Sequence, residues 1–393
     1  MAYGLIKGNT IIGIEAEVTE GTFVAPSAAT SYLQPLSDGF ELKPSREQLD
    51  RTILTASPGM PNPKMGIKSV SASLPVEFRA SGVEGGDTDF GLLIKGALGA
   101  TRAVASNVTS TTGHSSTVIN MSSGNAALFS VGDIVLVKET AAHEIRPISA
   151  VGATSITLAF ALTNGAPSAS VVLSKVKMYY TAATGHPSIS LSYYWGNEIR
   201  QCAIGSKVVS MGLEGFETGK LAGLKFALDG LSYTEIDGVA PHTPTYDSGT
   251  PPIILSACVW RSGVSETINS LSVSVANTLG FVTSTCSENG KVSSRVTKRE
   301  ITGSFNPYKD DTTFSNFTSW NAGTEFSLLA YAYTPSASAG EITMGSVVAI
   351  WLPQCITTEY GVADQDGILT DQLGFKATRG AAGSSEEMYL GLI

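Results

Sequence analysis

The sequence predicts a mainly β chain made of two tandem β-rich units with one helix each, the first unit carrying a small inserted β domain. Three observations predict it. One order of elements occurs twice along the chain. Short alternating runs sit between clusters of turn residues. Neither copy carries the residue pattern of a catalytic site.

In the first copy, Phe40–Lys43 leads into a long loop, the alternating run Lys68–Arg79 and the helix-like Asp87–Gly99. In the second, Leu271–Ala276 leads into a loop, then Thr297–Pro307 and Asp311–Gly323. Val70, Ala72, Leu74 and Val76 fall opposite Ile301, Gly303, Phe305 and Pro307 without a gap, and Phe90 and Leu93 fall opposite Phe314 and Phe317. Element order, loop position and helix position agreeing together is the mark of an internal repeat.

Before the first copy, Asn9–Val18 reads as a short strand followed by an irregular arm from Gly21 to Leu33. The first strand pair is split by Ser45–Gly66, which carries Pro58, Pro61 and Pro63. The second is split by Leu279–Ser294. Loops of such length in compact domains usually have a function or are disordered. After its helix the first copy is interrupted by nearly ninety residues before Ser188–Trp195, the counterpart of Glu325–Tyr333. The interruption has strand patterns of its own at Ser116–Met121, Asp133–Lys138, Ile145–Val151, Ser155–Phe160 and Ser170–Tyr180. That predicts a small β-barrel or sandwich inserted at a loop tip. Each copy closes on a hairpin, Lys207–Phe216 with Leu221–Leu228 and Cys355–Val362 with Ile368–Ala377. The Pro- and Gly-rich Asp237–Pro252 reads as a linker. The expected organisation is residues 1–107 with 181–240 as the first unit, 108–180 as the insert, 241–252 as the linker and 253–393 as the second unit.

At 393 residues there is room for two or three cores. Only 15% of residues are charged, and 25 basic against 34 acidic residues give a formal charge of −9. That balance argues against binding a phosphate backbone and suits a surface that nucleic acid passes without sticking. Cys202, Cys258, Cys286 and Cys355 form no CxxC pair and read as reduced residues of a protein made inside a cell. No export signal or membrane span is visible.

His114, His143, His186 and His242 stand alone without a second ligand at metal spacing. Gly219-Lys220 fails as a phosphate loop because Glu214 and Leu221 occupy the glycine and hydroxyl positions. Asp364 and Asp366 before Gly367 fail as a calcium loop because Val362 and Leu373 occupy the first and twelfth positions. Tyr193, Tyr194, Trp195, Trp320 and Trp351 lie in strands or the helix and read as core rather than as a sugar platform. Neither a cofactor, a metal nor an enzymatic activity is expected.

Taken in order, the Glu20–Pro26 segment, Ser71–Gly82 with the Gly91-Leu92-Leu93 helix, Arg299–Phe305 and the late Asp366-Gly367-Ile368 resemble the major tail tube proteins of long-tailed, siphovirus-type bacteriophages. The resemblance covers nearly the whole chain outside the insert. It implies two β-sandwich domains, each with a flanking helix, contributing to a ring whose sheets line an inner barrel. Rings would stack through long loops and terminal arms into a virion tail tube that passes double-stranded DNA without specific binding. Other tail proteins, such as the tape measure, terminator and tip, would be partners. With two domains per chain, three chains are expected to close a pseudo-sixfold ring.

The stacking loops are expected at Arg46, Glu47, Asp50, Arg51, Leu54, Pro58, Pro61 and Lys64, and at Phe281, Glu288 and Lys291. The first four are expected to form ion pairs between rings. Phe23, Tyr32 and Tyr389 are expected in terminal-arm contacts, and the insert is expected to project from the outer wall. A tube terminator or tip hub, a receptor- or glycan-binding β protein and a polysaccharide-degrading enzyme are the competing readings.

Overall fold

The computed structural model describes residues 4–54, 59–139, 142–287, 289–310, 315–338, 340–379 and 386–393, and the described chain is mainly β. The first unit contains β1 (Ile11–Ala16), β2 (Glu41–Leu49), β3 (Lys64–Glu77), α1 (Gly91–Leu98), β4 (Ile189–Trp195), β5 (Ile199–Glu217) and β6 (Gly223–Gly230). The second contains β7 (Ala257–Arg261), β8 (Ile268–Thr283), β9 (Lys291–Pro307), α2 (Ser315–Ala322), β10 (Glu325–Ala332), β11 (Val348–Gln365) and β12 (Ile368–Ala377).

The antiparallel pairings of the first unit run β1·β4, β4·β5, β5·β6, β6·β3 and β3·β2. Those of the second run β7·β10, β10·β11, β11·β12, β12·β9 and β9·β8, the same order throughout. Register agrees as well. Leu74 faces Phe226, which faces Met211; Phe305 faces Leu373, which faces Tyr360. A β-bulge sits between Val208 and Ser210 in β5 and at the matching place, between Thr357 and Glu359, in β11. A bulge bends its strand and increases the local twist. This lets β5 and β11 pair with one neighbour on their N-terminal half and with another beyond the bend.

The hairpin β11–β12 turns on Asp366 and Gly367, both at positive φ, with the Asp364 carboxylate accepting from the Gly367 N–H at 3.2 Å. A two-residue Asp-Gly turn matches the twist of the strands it joins, so the acidic residues here shape a turn.

Pairing also departs from expectation. Strand β2 continues to Leu49 and β3 begins at Lys64, with Leu49 opposite Lys64. The first long loop is therefore a projecting hairpin whose connection is residues 50–63. The second is shorter still, because β8 runs to Thr283 opposite Lys291 and leaves only 284–290 as connection. Backbone hydrogen bonding extends the ladder wherever two strands stay in register, and the alternation of side chains there is too weak to announce it.

The insert forms its own six-stranded sheet from Val108–Thr109 to Val172–Leu173. The strand Val176–Thr181, expected within the insert as far as Tyr180, belongs to the large sheet, between Gly99–Val104 and Tyr389–Leu392. The insert does not stand away from the body. Ile134, Ile148, Phe160 and Leu173 share one apolar cluster with Leu329, Tyr331, Ala349 and Trp351 of β10 and β11. A second cluster runs continuously through both units. To it α1 contributes Leu93, Ile94, Ala97 and Leu98, and the helix ends at Gly99, whose φ of +108° suits glycine alone. Gly96 faces β5 so closely that a Cβ would stand 2.7 Å from Val208 Cγ2.

Candidate assembly surfaces

The two units join edge to edge. Beyond its bulge β5 pairs with β8, with Ser210 opposite Ala276, Met211 opposite Val275, Gly212 opposite Ser274 and Leu213 opposite Val273. The result is a run of eight strands in the order β2-β3-β6-β5-β8-β9-β12-β11. Its inward face carries Leu74, Phe226, Met211, Val275, Phe305 and Phe375, all buried. Its outward face carries short polar or small side chains, Ser71, Ala227, Gly212, Ser274, Thr302 and Gly374 among them. Hydroxyls there bond across strands, Ser45 to Ser69 and Ser272 to Ser304, each at 2.8 Å. The face's cations are engaged by carboxylates: Lys376 reaches Glu300 at 2.7 Å and Lys225 lies 3.9 Å from Glu214. Lys376 and Lys298 hold the Glu300 carboxyl below its usual range. A face of this kind offers a polyanion few free positive charges and little apolar surface.

Among the described residues, each end of the run is a strand paired on one side only over this stretch, β2 at one end and the C-terminal half of β11 at the other. Residues 43–49 of β2 are exposed throughout. Arg46 and Glu47 lie in β2 and Lys64 opens β3, so these three belong to hairpin strands rather than to a loop. Asp50, Arg51, Leu54 and Pro61 lie in the connection; Pro58 lies outside the described residues. Arg46, Glu47, Asp50 and Arg51 make no ion pair with other described residues, and Arg46 Nε donates to the Gly66 carbonyl at 3.4 Å. Around them Leu49, Ile53, Leu54, Met60 and Met65 are exposed, giving the hairpin an apolar tip of which the expected contacts include only Leu54.

On the second hairpin, Lys291 Nζ sits 4.2 Å from the centre of the Phe281 ring, which joins the two expected contact residues to each other. Glu288 lies outside the described residues. Glu20 clasps this hairpin at its base. Its carboxylate accepts from the Ser294 N–H at 2.5 Å and hydroxyl at 2.9 Å, and pairs with Arg295 at 2.8 Å and Lys207 at 3.3 Å. Burial raises the Glu20 pKa, but the Ser294 bonds and the two cations outweigh it and leave it lowered.

The expected arm residues are placed differently. Phe23 lies under the Arg200 guanidinium at 4.8 Å. Tyr32 is fully buried beside β1, its hydroxyl accepting from the His242 N–H at 3.1 Å. Tyr389 is buried between β11 and Val176–Thr181. The last two complete the interior of their own chain, because a phenol ring this large is stabilised more by core packing than by an arm in water.

Two further ionic clusters are built on a buried carboxylate. Arg79 pairs with Asp89 at 2.9 Å and approaches Asp247 at 3.8 Å, tying the inter-unit segment to the turn before α1. Burial pushes Asp89 up to about 6, against Arg79 and with the help of Asp247. In the second unit the fully buried Asp371 holds Lys309 Nζ at 2.8 Å, Asn316 Nδ2 at 2.9 Å and the Tyr360 hydroxyl at 3.2 Å. No group of three His, Cys, Asp or Glu able to hold a metal occurs among the described residues, and none of their helices is long and apolar enough to cross a membrane.

Two sheet units joined in register, open strand edges and projecting hairpins define a structural, self-associating β protein. The family model for phage tail tube proteins matches residues 8–377, and the chain belongs to that family. It is a structural component of the virion tail. No curated protein matches it.

Proposed function

We propose that three copies of this chain close a pseudo-sixfold ring and that stacked rings form the conduit for DNA ejection. The observation that carries this is the edge-to-edge joint between two units of the same strand order. One chain thereby supplies two sixths of a wall and leaves an open edge at each end. Strand spacing of about 4.8 Å and a tilt of roughly 35–45° close twenty-four strands into a barrel about 45–52 Å across. That admits a duplex about 20 Å wide once side chains are added, whereas six chains would double the diameter. The outward face of Ser, Thr, Gly and paired charges would line the bore, where it gives phosphates no anchoring patch.

The hairpin tips at residues 50–63 and 284–290 would contact the next ring, with Leu54 and Pro61 presenting apolar surface and Asp50 and Arg51 pairing across the gap. The domain limits are taken from the expected organisation except that the insert ends before Val176, and the insert would lie on the outer layer of the second unit. Tape measure, terminator and tip proteins would meet the tube at its ends, after synthesis in the host cytoplasm. Cryo-electron microscopy of tubes grown from the purified chain tests the reading. Threefold rings of three chains are expected; six chains per ring would overturn it.

A further inference from the structure

We infer that the two open edges meet between neighbouring copies in the register of the internal joint, placing Glu359 opposite Ser45, Tyr360 opposite Pro44, Gly361 opposite Lys43 and Val362 opposite Leu42. This rests on the ring reading and adds to it which residues touch.

The register follows from position. Met211 and Tyr360 occupy one place in their units, each across from the β6 or β12 residue that faces Leu74 or Phe305. Ser210–Leu213 therefore corresponds to Glu359–Val362. On the other side, Val275 faces Ile301 in β9 as Pro44 faces Val70 in β3, so Val273–Ala276 corresponds to Leu42–Ser45. The internal pairs then transpose one for one.

The chemistry agrees at each position. In the internal joint Leu213 and Val273 are 5% and 3% exposed, while Val362, in the place of Leu213, is 50% exposed. An apolar residue at a core-facing place with nothing over it fits a neighbour bringing Leu42. On the opposite face, Gly361 leaves room for the Lys43 side chain, whose ammonium, held by Glu41 at 2.8 Å within its own strand, would gain Glu359 as a second, diagonal carboxylate. Pro44 removes at most one donor from the ladder.

A third match lies at the helix ends. Asn277 of β8 donates to the Ala97 carbonyl in the last turn of α1, and to the Val208 carbonyl. Arg46 holds the place of Asn277 in β2, so the neighbour's guanidinium would reach the last turn of α2, where a cation is favoured. Above that turn Phe317 is 47% exposed, whereas Leu93, its counterpart on α1, is fully buried. The occupant that fits these edges is a second copy of this chain.

Paired antiparallel residues stand at Cα separations that a disulfide spans. Assembled tubes of the Ser45→Cys/Glu359→Cys variant, in a Cys286→Ser background, should oxidise into covalent dimers and trimers with loss of the monomer band. The internal pair Ser210→Cys/Ala276→Cys should cross-link without any gain in mass, and Ser45→Cys/Gly361→Cys, two residues out of register, should link far less. Carbodiimide treatment of unaltered tubes should join Lys43 to Glu359 in peptide maps, which covers a variant that fails to assemble. Threefold tubes in which the shifted pair links better, or in which only the internal pair links, overturn the register and leave the ring standing. Rings of six chains, or no rings, remove both.

Discussion

The two units share the five strand pairings that build them and differ in how well they are covered. On α1 six of eight residues are buried; on α2 only Asn316 is among the buried residues. Strand β5 has neighbours on both sides beyond its bulge, whereas β11 has one. The first unit's strand edge is covered by the second unit, and among the described residues nothing covers the corresponding edge of the second. A repeat thus acts as an internal control, because the surplus exposure of one copy marks the surface that assembly hides.

The largest effect expected from breaking this comparison comes from one substitution placed twice. Leu213→Asp buries a carboxylate in the internal joint and should cost at least about 4 kcal/mol, yielding little soluble protein. Val362→Asp, at the equivalent place, should leave the thermal midpoint of the single chain within a few degrees and abolish tube growth in electron micrographs. Equal instability of both variants would mean that β11 is covered within its own chain.

Next in size is a buried position where the units differ in polarity. Asp371 stands where the first unit has Leu224, and supports Lys309 and the buried Asn316. Asp371→Ala leaves the Asn316 amide without its acceptor and should destabilise the chain by about 2–4 kcal/mol, read as a drop in the thermal midpoint. Since Lys309 is partly exposed, its ammonium turns to water and the loss stays at the lower end.

A third test uses pH. Because the fold raises the Asp89 pKa to about 6, the folded chain binds a proton there that the unfolded chain has released. Stability from this group is full below about pH 4 and falls as pH rises towards 6, by roughly 3 kcal/mol in all. Asp89→Asn should flatten that part of the stability–pH curve relative to the unaltered chain. An unchanged slope would show that Arg79 keeps Asp89 ionised throughout.

Most of the frame was readable in the residues because alternation at period two is imposed by the pleat. The gapless match of Val70, Ala72 and Leu74 with Ile301, Gly303 and Phe305 coincides with the register of the strands. Hairpin lengths were not readable. Gln48, Leu49 and Met65 are exposed on a projecting ladder, where no buried face enforces alternation. Tyr32 and Tyr389 were misplaced as arms because sequence proximity to a terminus says nothing about which strands lie beside them. The β5·β8 joint was invisible too, since its partners are some sixty residues apart and neither strand names the other.

The smallest expected effect sharpens the comparison between hairpins. The second is held by Glu20 through Ser294, Arg295 and the buried Lys207; the first has no carboxylate clasp of this kind among the described residues. Glu20→Gln keeps an acceptor for Ser294 but leaves the Lys207 ammonium without its charge partner, a loss of about 1–3 kcal/mol. Amide exchange at residues 284–290 should then quicken by one to two powers of ten, while exchange at 50–54 and 59–63 stays unchanged. If both hairpins quicken together, they are coupled through the sheet, and the clasp orders more of the chain than its own contacts imply.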